Sequence, residues 1–470
     1  MDELTAFAPM PRAVEASFDQ PSRKRVLLIT YPFPPVGGAG VQRVTKFVKY
    51  LPEHGWDVSV LTVANPSVPL HDDSLAKDIP SETIVCKARS WEPGYSIKAS
   101  VAASQPVGKQ TRSGPKKRII DMVRRLGSLV LQPDPQILWM PEAVSEGKRF
   151  LKRIRHDIIV ASGPPFSTFL LARALSRFSN LPLVLDYRDE WTISNEYWEN
   201  KRLDRLSRRI QSRMQQKVIR SAQGLVATTR SSAVSLSELN RRCAGQSRIT
   251  WIYNGFDPDD FVTPCPKRRS DRSKFRLSYT GTLWNLTSVA PLVDAVKRLA
   301  RDEPELAAGL ELVFVGRRIG SQPALLAQLH GLPCQLIEYP YLEHSEAVAF
   351  MRESEALCLL LSDLPGAGRV VPAKLFEYMA TGRPILTIAP PGETLELLGG
   401  YPGAQFFPSD VDGIATWLKC AIREHQNGST HSSAELGVCA FTRVNQAGQL
   451  ADFMNSILLS NAHTKALGSQ

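Results

Sequence analysis

The chain holds no run of roughly 18 apolar residues, so no helix is expected to cross a bilayer. Its seven cysteines (Cys86, Cys243, Cys265, Cys334, Cys358, Cys420 and Cys439) are scattered and odd in number. They form no CxxC and no Cys/His cluster, which argues against structural zinc and a disulfide framework and for a reducing cytosol. None of the eight histidines pairs at metal-ligand spacing, so no metal site is expected. Residues 1–22 lack the basic start and apolar centre of a secretory signal and are expected to form a disordered tail. No aromatic-interleaved basic motif accompanies the positive charge, so nucleic acid is not an expected partner.

What is present describes a large α/β protein. With 470 residues and 43% hydrophobic content, the chain can fill two cores. The net charge of +11 is uneven: residues 1–250 carry 38 Lys and Arg against 23 Asp and Glu, and the remainder is slightly acidic. Such asymmetry suggests that the first half meets an anionic surface. Residues 64–140 are the least regular part, rich in Pro, Ser and Gly, with a basic segment at Lys109–Arg125. Within it, residues 118–131 place Ile119, Ile120, Val123, Leu126 and Val130 on one face among basic residues. That pattern fits an interfacial helix on anionic lipid, and equally a helix docked on its own domain.

Apolar strands alternate with helical periods in two successive series. In the first, Arg25–Tyr31, Asp57–Val63, Asp157–Ala161, Leu181–Asp186, Gly224–Thr228 and Ile249–Tyr253 read as strands. In the second, Arg276–Thr280, Leu310–Val315, Gln335–Tyr339, Ala356–Leu361 and Pro384–Ile388 do. Fully apolar strands separated by helices imply parallel sheets covered on both faces. The turn-rich, charged stretch Asn254–Lys274 separates the two series.

One motif carries chemistry more clearly than the rest. In VPAKLFEYMATGRPIL (371–386), a short helix is opened by Pro372 and closed by Gly382. Lys374 and Glu377 share one face of it. A lysine near a helix N-terminus suits a phosphate, and a carboxylate one turn on suits a vicinal diol. Together they describe a nucleotide sugar. The alternative reading is an exposed ion pair of little consequence.

PAKLFEYMATGRPIL resembles the donor-site helix of the family 4 glycosyltransferases, a retaining group of the GT-B fold. Three further stretches resemble the same family in the right order: YPFPPVGGAGVQRVTKFVKYLPEHGW (31–56); LDYRDEW (185–191), with SGPPFST (162–168) before it; and IYNGFD (252–257), followed by LSYTGTLWN (277–285). The resemblance implies two Rossmann-like, doubly wound parallel-sheet domains facing a cleft. The expected plan is an acceptor-side domain at 23–255, with 64–140 as an irregular basic insertion, and a nucleotide-sugar domain at 256–444. Residues 445–470 would supply a helix returning to the first domain, and a tail.

The site residues follow from the same motifs. The loop Pro32–Gly40 offers Gly37 and Gly38, where missing side chains let backbone N–H groups approach a phosphate. Gly281 and Thr282 end one strand of the second domain and Arg317 follows the end of another; both ends are expected to face the cleft, where Arg317 would neutralise a diphosphate or equally sit at a solvated turn. In DYRDEW, Asp189 would position or deprotonate an acceptor hydroxyl and Arg188 would bind an anionic acceptor group; alternatively the two form a buried pair holding the loop. Asp257-Pro258-Asp259-Asp260 imitates a metal-binding DxD, but in a turn after Asn254-Gly255 it reads as structural.

The sequence departs from the family pattern twice. Many members carry Glu eight residues before the equivalent of Glu377, where it meets the transferred sugar; here that residue is Arg369. Many also carry an Arg and a Lys after the equivalent of Gly281, and here neither is present. Lys374 then leads as the phosphate cation, with Arg369 and Arg317 behind it. The resemblance implies no resident cofactor; the co-substrate would be a UDP- or GDP-sugar and the acceptor a saccharide, expected to be lipid-linked. The setting would be cytoplasmic, peripheral on the inner face of an anionic membrane. Two other readings use the same fold: a sugar-nucleotide epimerase, and a non-catalytic nucleotide-sugar-binding subunit.

Overall fold

The computed structural model describes residues 23–68, 71–92, 131–191, 204–262, 273–428 and 438–467. The expected tail at 1–22, the basic segment Lys109–Arg125 and nearly all of the amphipathic stretch 118–131 lie outside these residues.

The first series of apolar runs forms a seven-stranded parallel sheet. Its strands are β1 (Lys24–Ile29), β2 (Trp56–Val63), β3 (Ile84–Ala88), β4 (Ile158–Gly163), β5 (Leu183–Tyr187), β6 (Gly224–Ala227) and β7 (Arg248–Trp251). They lie in the order β3-β2-β1-β4-β5-β6-β7. The central strands are buried along almost their whole length, as apolar runs covered on both faces require. Among the described residues, helices α1 (Ala39–Tyr50), α2 (Met140–Arg153), α3 (Ser167–Ser179), α4 (Arg205–Ile219) and α5 (Arg230–Arg242) accompany this sheet.

The second sheet has six parallel strands: β8 (Phe275–Thr280), β9 (Leu310–Val315), β10 (Gln335–Tyr339), β11 (Ala356–Leu360), β12 (Ile385–Ile388) and β13 (Gly403–Phe406). Their order is β10-β9-β8-β11-β12-β13. Helices α6 (Ala290–Asp302), α7 (His344–Arg352), α8 (Lys374–Ala380) and α9 (Val411–Gln426) belong to this half. The periodicity did not disclose β3 and β13. Both are edge strands with half-exposed, mixed side chains, so neither shows the continuous apolar run of a central strand.

The chain crosses between the halves twice, and the crossings lie side by side. Phe256 donates its N–H to Phe441 O at 3.1 Å, and Arg443 donates to Phe256 O at 2.9 Å. The last helix, α10 (Arg443–Leu467), follows the second crossing. Its Leu450, Met454 and Ile457 pack with Val44, Phe47 and Val48 of α1 in the core of the first half. Near the same crossings, Phe376 of α8 packs on Phe441 with ring centroids 4.9 Å apart. Tyr253 meets Phe376 at a tilt and Phe441 edge-on, with ring centroids 6.1 and 5.9 Å away. The motif helix is thereby anchored to the hinge.

Candidate active site

Helix α8 is only two turns long, and it buries Leu375, Phe376, Tyr378 and Met379. That leaves Lys374 and Glu377 on the face turned to the cleft. At this length a helix dipole is weak, so anion recognition falls to the lysine itself. The two side chains do not pair with each other. Lys374 Nζ lies 3.7 Å from the centroid of the Tyr279 ring, and no carboxylate lies within ion-pair distance of it among the described residues. It also stands beside Gly281, where an added Cβ would come within 2.8 Å of Nζ. Gly281 has φ +117 and Gly316 has φ +130, and a Cβ on Gly316 would collide with the Gly281 carbonyl. These two strand ends therefore need glycine, and they leave bare backbone next to the lysine. Burial, slightly offset by Cys358 and Glu377, pulls the Lys374 pKa down to about 7.

Glu377 turns instead to His344, whose Nε2 is 2.8 Å from Oε1. Burial alone would raise the Glu377 pKa; His344, Arg443 and Lys374 outweigh it and hold the pKa below the ordinary value. Both members of the pair are nearly buried. Thr282 has its carbonyl taken by Tyr279 Oη at 2.9 Å and Thr287 Oγ1 at 2.8 Å, which fixes the loop after β8. Arg317, half-buried, follows the end of β9. Its neighbour Arg318 is committed to Glu338 at 2.7 Å and to the Tyr339 carbonyl.

The first half contributes the glycine loop. Gly37 faces Tyr341 of the second half, and a Cβ there would reach Tyr341 Oη at 2.6 Å. Gly38, at φ +113, precedes the first turn of α1. Asp72 supports the loop by donating its N–H to Pro35 O at 2.9 Å. It also accepts from the His344 N–H across the cleft at 3.3 Å.

Two expectations need correction. Arg188 is not placed to bind an anionic acceptor, because its guanidinium donates to the carbonyls of Gly40 and Pro164 and so ties the glycine loop to the end of β4. Arg369 does not face a phosphate. It reaches across the cleft to Glu190, with Nε 2.9 Å from Oε1 and Nη2 3.2 Å from Oε2. Asp189 remains open to solvent within the cleft next to this contact; the surrounding walls raise its carboxyl pKa, with Arg188 partly offsetting the effect. The buried Arg–Asp pair of this region is Arg43–Asp186, 2.9 Å apart with both side chains 1% exposed. Asp257 is enclosed by Lys46, Lys49 and Tyr50. Burial would raise its pKa, but these partners hold it well below the carboxylate range.

Sequence reasoning missed Glu190, His344 and Glu393. Glu393 of the second half accepts the N–H groups of Arg230 and Ser231 at 2.7 and 2.8 Å, capping α5 of the first half. Each of these residues acts through a partner at least 33 positions away, which local spacing does not show.

Residues 37–255 match the family described as Glycosyl transferase 4-like domain. A D-inositol 3-phosphate glycosyltransferase of Stackebrandtia nassauensis is 28% identical over 203 residues, 40% of this chain and 44% of that protein. The chain therefore spans less than half the length of that relative. HepE of Anabaena, solved in complex with UDP and glucose, superposes with a TM-score of 0.54 at 17% identity, covering 95% of this chain and 100% of HepE. WaaG, a glycosyltransferase of lipopolysaccharide biosynthesis, gives 0.54 at 14% identity, with coverages of 91% and 99%. Residues 37–255 thus carry a glycosyl transferase 4-like domain, and the two parallel sheets give the chain the GT-B fold.

Proposed function

We propose that the protein transfers a sugar from a nucleoside-diphosphate sugar to a saccharide acceptor, with retention and without a metal cofactor. One observation carries this reading. Among the described residues Lys374 has no carboxylate partner and stands beside the bare backbone of Gly281, while Glu377 one turn away presents a charged carboxylate. A diphosphate would supply the missing partner of Lys374. The nucleotide ribose would present its diol to Glu377. The Gly37–Gly38 loop closes the same space from the first half. HepE, whose superposition covers 95% of this chain, has been solved with UDP-glucose, and this supports a uridine donor here.

The departing diphosphate gains negative charge as the glycosidic bond breaks. A fixed cation in a partly desolvated cleft stabilises that charge more than water does. Asp189, at the carboxyl edge of β5, would receive or orient the acceptor hydroxyl, its raised pKa bringing it toward a proton acceptor's range. Closing the two halves would align donor and acceptor. We place the acceptor on a lipid carrier at an anionic membrane surface, in polysaccharide or cell-envelope glycan synthesis. The exposed basic face of α4 supports this placement. Among the described residues, no helix is long and apolar enough to cross a membrane.

The test is incubation with UDP- and GDP-sugars and a cell-envelope lipid extract. Release of nucleoside diphosphate that depends on the extract and survives EDTA supports the reading. An epimer formed from the donor alone, or abolition of release by EDTA, counts against it.

A further inference from the structure

His344 is the first residue of α7 and touches three separate parts of the cleft. Its Nε2 faces Glu377 Oε1 at 2.8 Å, and its Nδ1 lies 3.7 Å from Asp260 Oδ2 in the linker. Asp260 in turn sits 3.3 Å from Lys46 Nζ of α1. The His344 backbone N–H donates to Asp72, which itself holds the glycine loop. The side chains of His344, Asp260 and Glu377 are only 10, 11 and 12% exposed. Burial disfavours an imidazolium here, and Lys46 opposes it too. Glu377 and Asp260 together outweigh both and hold the His344 pKa above its ordinary value.

We propose that His344 is a positioning residue for the nucleotide ribose: it donates Nε2–H to Glu377 and fixes that carboxylate in the orientation that accepts a vicinal diol. The inference rests on the donor reading of the cleft. A glutamate side chain loses most of its rotamer freedom when immobilised. A carboxylate held beforehand does not bear that cost on binding. Lys374, the other charge on α8, is turned to Tyr279 and makes no hydrogen bond to Glu377. An ionised carboxylate has about four lone-pair sites. One bond from His344 therefore leaves capacity for two hydroxyls. Because His344 also reaches Asp72 and Asp260, the same residue links the carboxylate's orientation to the glycine loop of the first half and to the linker.

The test is calorimetric titration of wild type, His344→Gln and His344→Leu with UDP and GDP, and with the 2′,3′-dideoxy form of whichever binds. For the parent nucleotide, His344→Leu is expected to weaken binding about tenfold or more, as loss of a hydrogen bond to a charged group does. His344→Gln, which keeps an N–H donor, is expected to retain most of the affinity. With the dideoxy nucleotide, the difference between wild type and His344→Leu is expected to fall within about twofold, since the carboxylate then has no diol to hold. If His344→Leu does not fold, His344→Asn, polar but too short to reach Oε1, reads the same contact. Equal losses for both nucleotides overturn the proposal, as does wild-type affinity in His344→Leu. Failure of wild type to bind either nucleotide overturns the donor reading itself, and the two failures are thus distinguishable.

Discussion

Lys374 Nζ stands 3.7 Å from the centre of the Tyr279 ring, an attraction that holds the amine in place without neutralising it as a carboxylate would. Its pKa near 7 follows from desolvation. The sign has two consequences. Between about pH 7 and the ordinary lysine range, the unfolded chain binds more protons than the empty folded protein. Raising pH through that window therefore favours the fold. Over the same window the free site loses its cation, and a bound diphosphate must restore it. Binding of the nucleoside diphosphate at about pH 8 is expected to take up a proton, with affinity falling as pH rises. Calorimetry in two buffers of different ionisation enthalpy measures the uptake. Lys374→Met should abolish it; uptake that persists in that variant would assign it to another group.

Removing either functional charge of α8 separates a ligand site from a surface ion pair. Contacts between charged groups and a phosphate or diol are each worth roughly 1.5–3 kcal/mol. Lys374→Ala and Glu377→Ala should each lower kcat/KM for the donor by about ten- to a hundredfold. Melting temperature should change little, because the packing of α8 rests on Leu375, Phe376 and Tyr378. Unaltered donor kinetics in both variants would sink the site assignment.

Arg369, at the position where the family resemblance would place a sugar-facing glutamate, is instead paired with Glu190. Glu190 is 7% exposed and also accepts from Ser232 and Ser235. Arg369→Glu should therefore set two carboxylates against each other across the cleft and depress activity by more than tenfold. Adding Glu190→Arg to that variant should recover part of the loss. If the double variant is no better than Arg369→Glu alone, the residue acts on the donor sugar and not through the contact.

The cap that Glu393 places on α5 joins the two halves through backbone groups. Burial alone would raise the Glu393 pKa; bonds from Ser231, Tyr253 and Arg230 outweigh it and lower the pKa. A depressed carboxyl pKa contributes stability above the unfolded value, and that contribution is lost as pH falls through the folded one. Glu393→Ala is expected to cost about 1–3 kcal/mol near neutral pH. The difference from wild type should shrink at acid pH, as urea unfolding at several pH values would show. A difference that is constant with pH would mean the lost packing, and not the charge, sets the cost.

How much of this was legible in the sequence depends on how local each signal is. Central strands such as Leu183–Tyr187 are buried on both faces, so continuous apolar character marks them. The edge strand Gly403–Phe406 is half-solvated, short and mixed in character, and it leaves no such mark. Lys374 and Glu377 were visible because a helix turn fixes their separation. The fates of Arg188 and Arg369 were not, because a guanidinium bonds a carbonyl, a carboxylate or a phosphate equally well. Which one it meets depends on a loop or a domain far away in sequence. Asp257 was legible as structural only through its turn context. The lysines and the tyrosine that enclose it come from α1, more than 200 positions earlier.

The basic face of α4 gives the membrane placement a concrete test. Arg205, Arg208, Arg209, Arg213 and Lys217 are all exposed, and Leu206 among them is 53% exposed. The helix itself contains no acidic residue; Asp204 precedes it as its cap. Each basic side chain near an anionic surface contributes up to about 1 kcal/mol, and salt screens the attraction. Several acting together, with an apolar side chain among them, give reversible peripheral binding. Co-sedimentation with vesicles containing anionic lipid is expected at low salt, with release at high salt and little binding to neutral vesicles. Replacing the five residues with Gln should reduce that binding without altering donor affinity, since α4 is remote in sequence from Lys374 and Glu377 and shares no contact with them. Equal binding to neutral vesicles, or undiminished binding by the Gln variant, would remove α4 as the docking face and leave the basic segment Lys109–Arg125 to be tested in the same way.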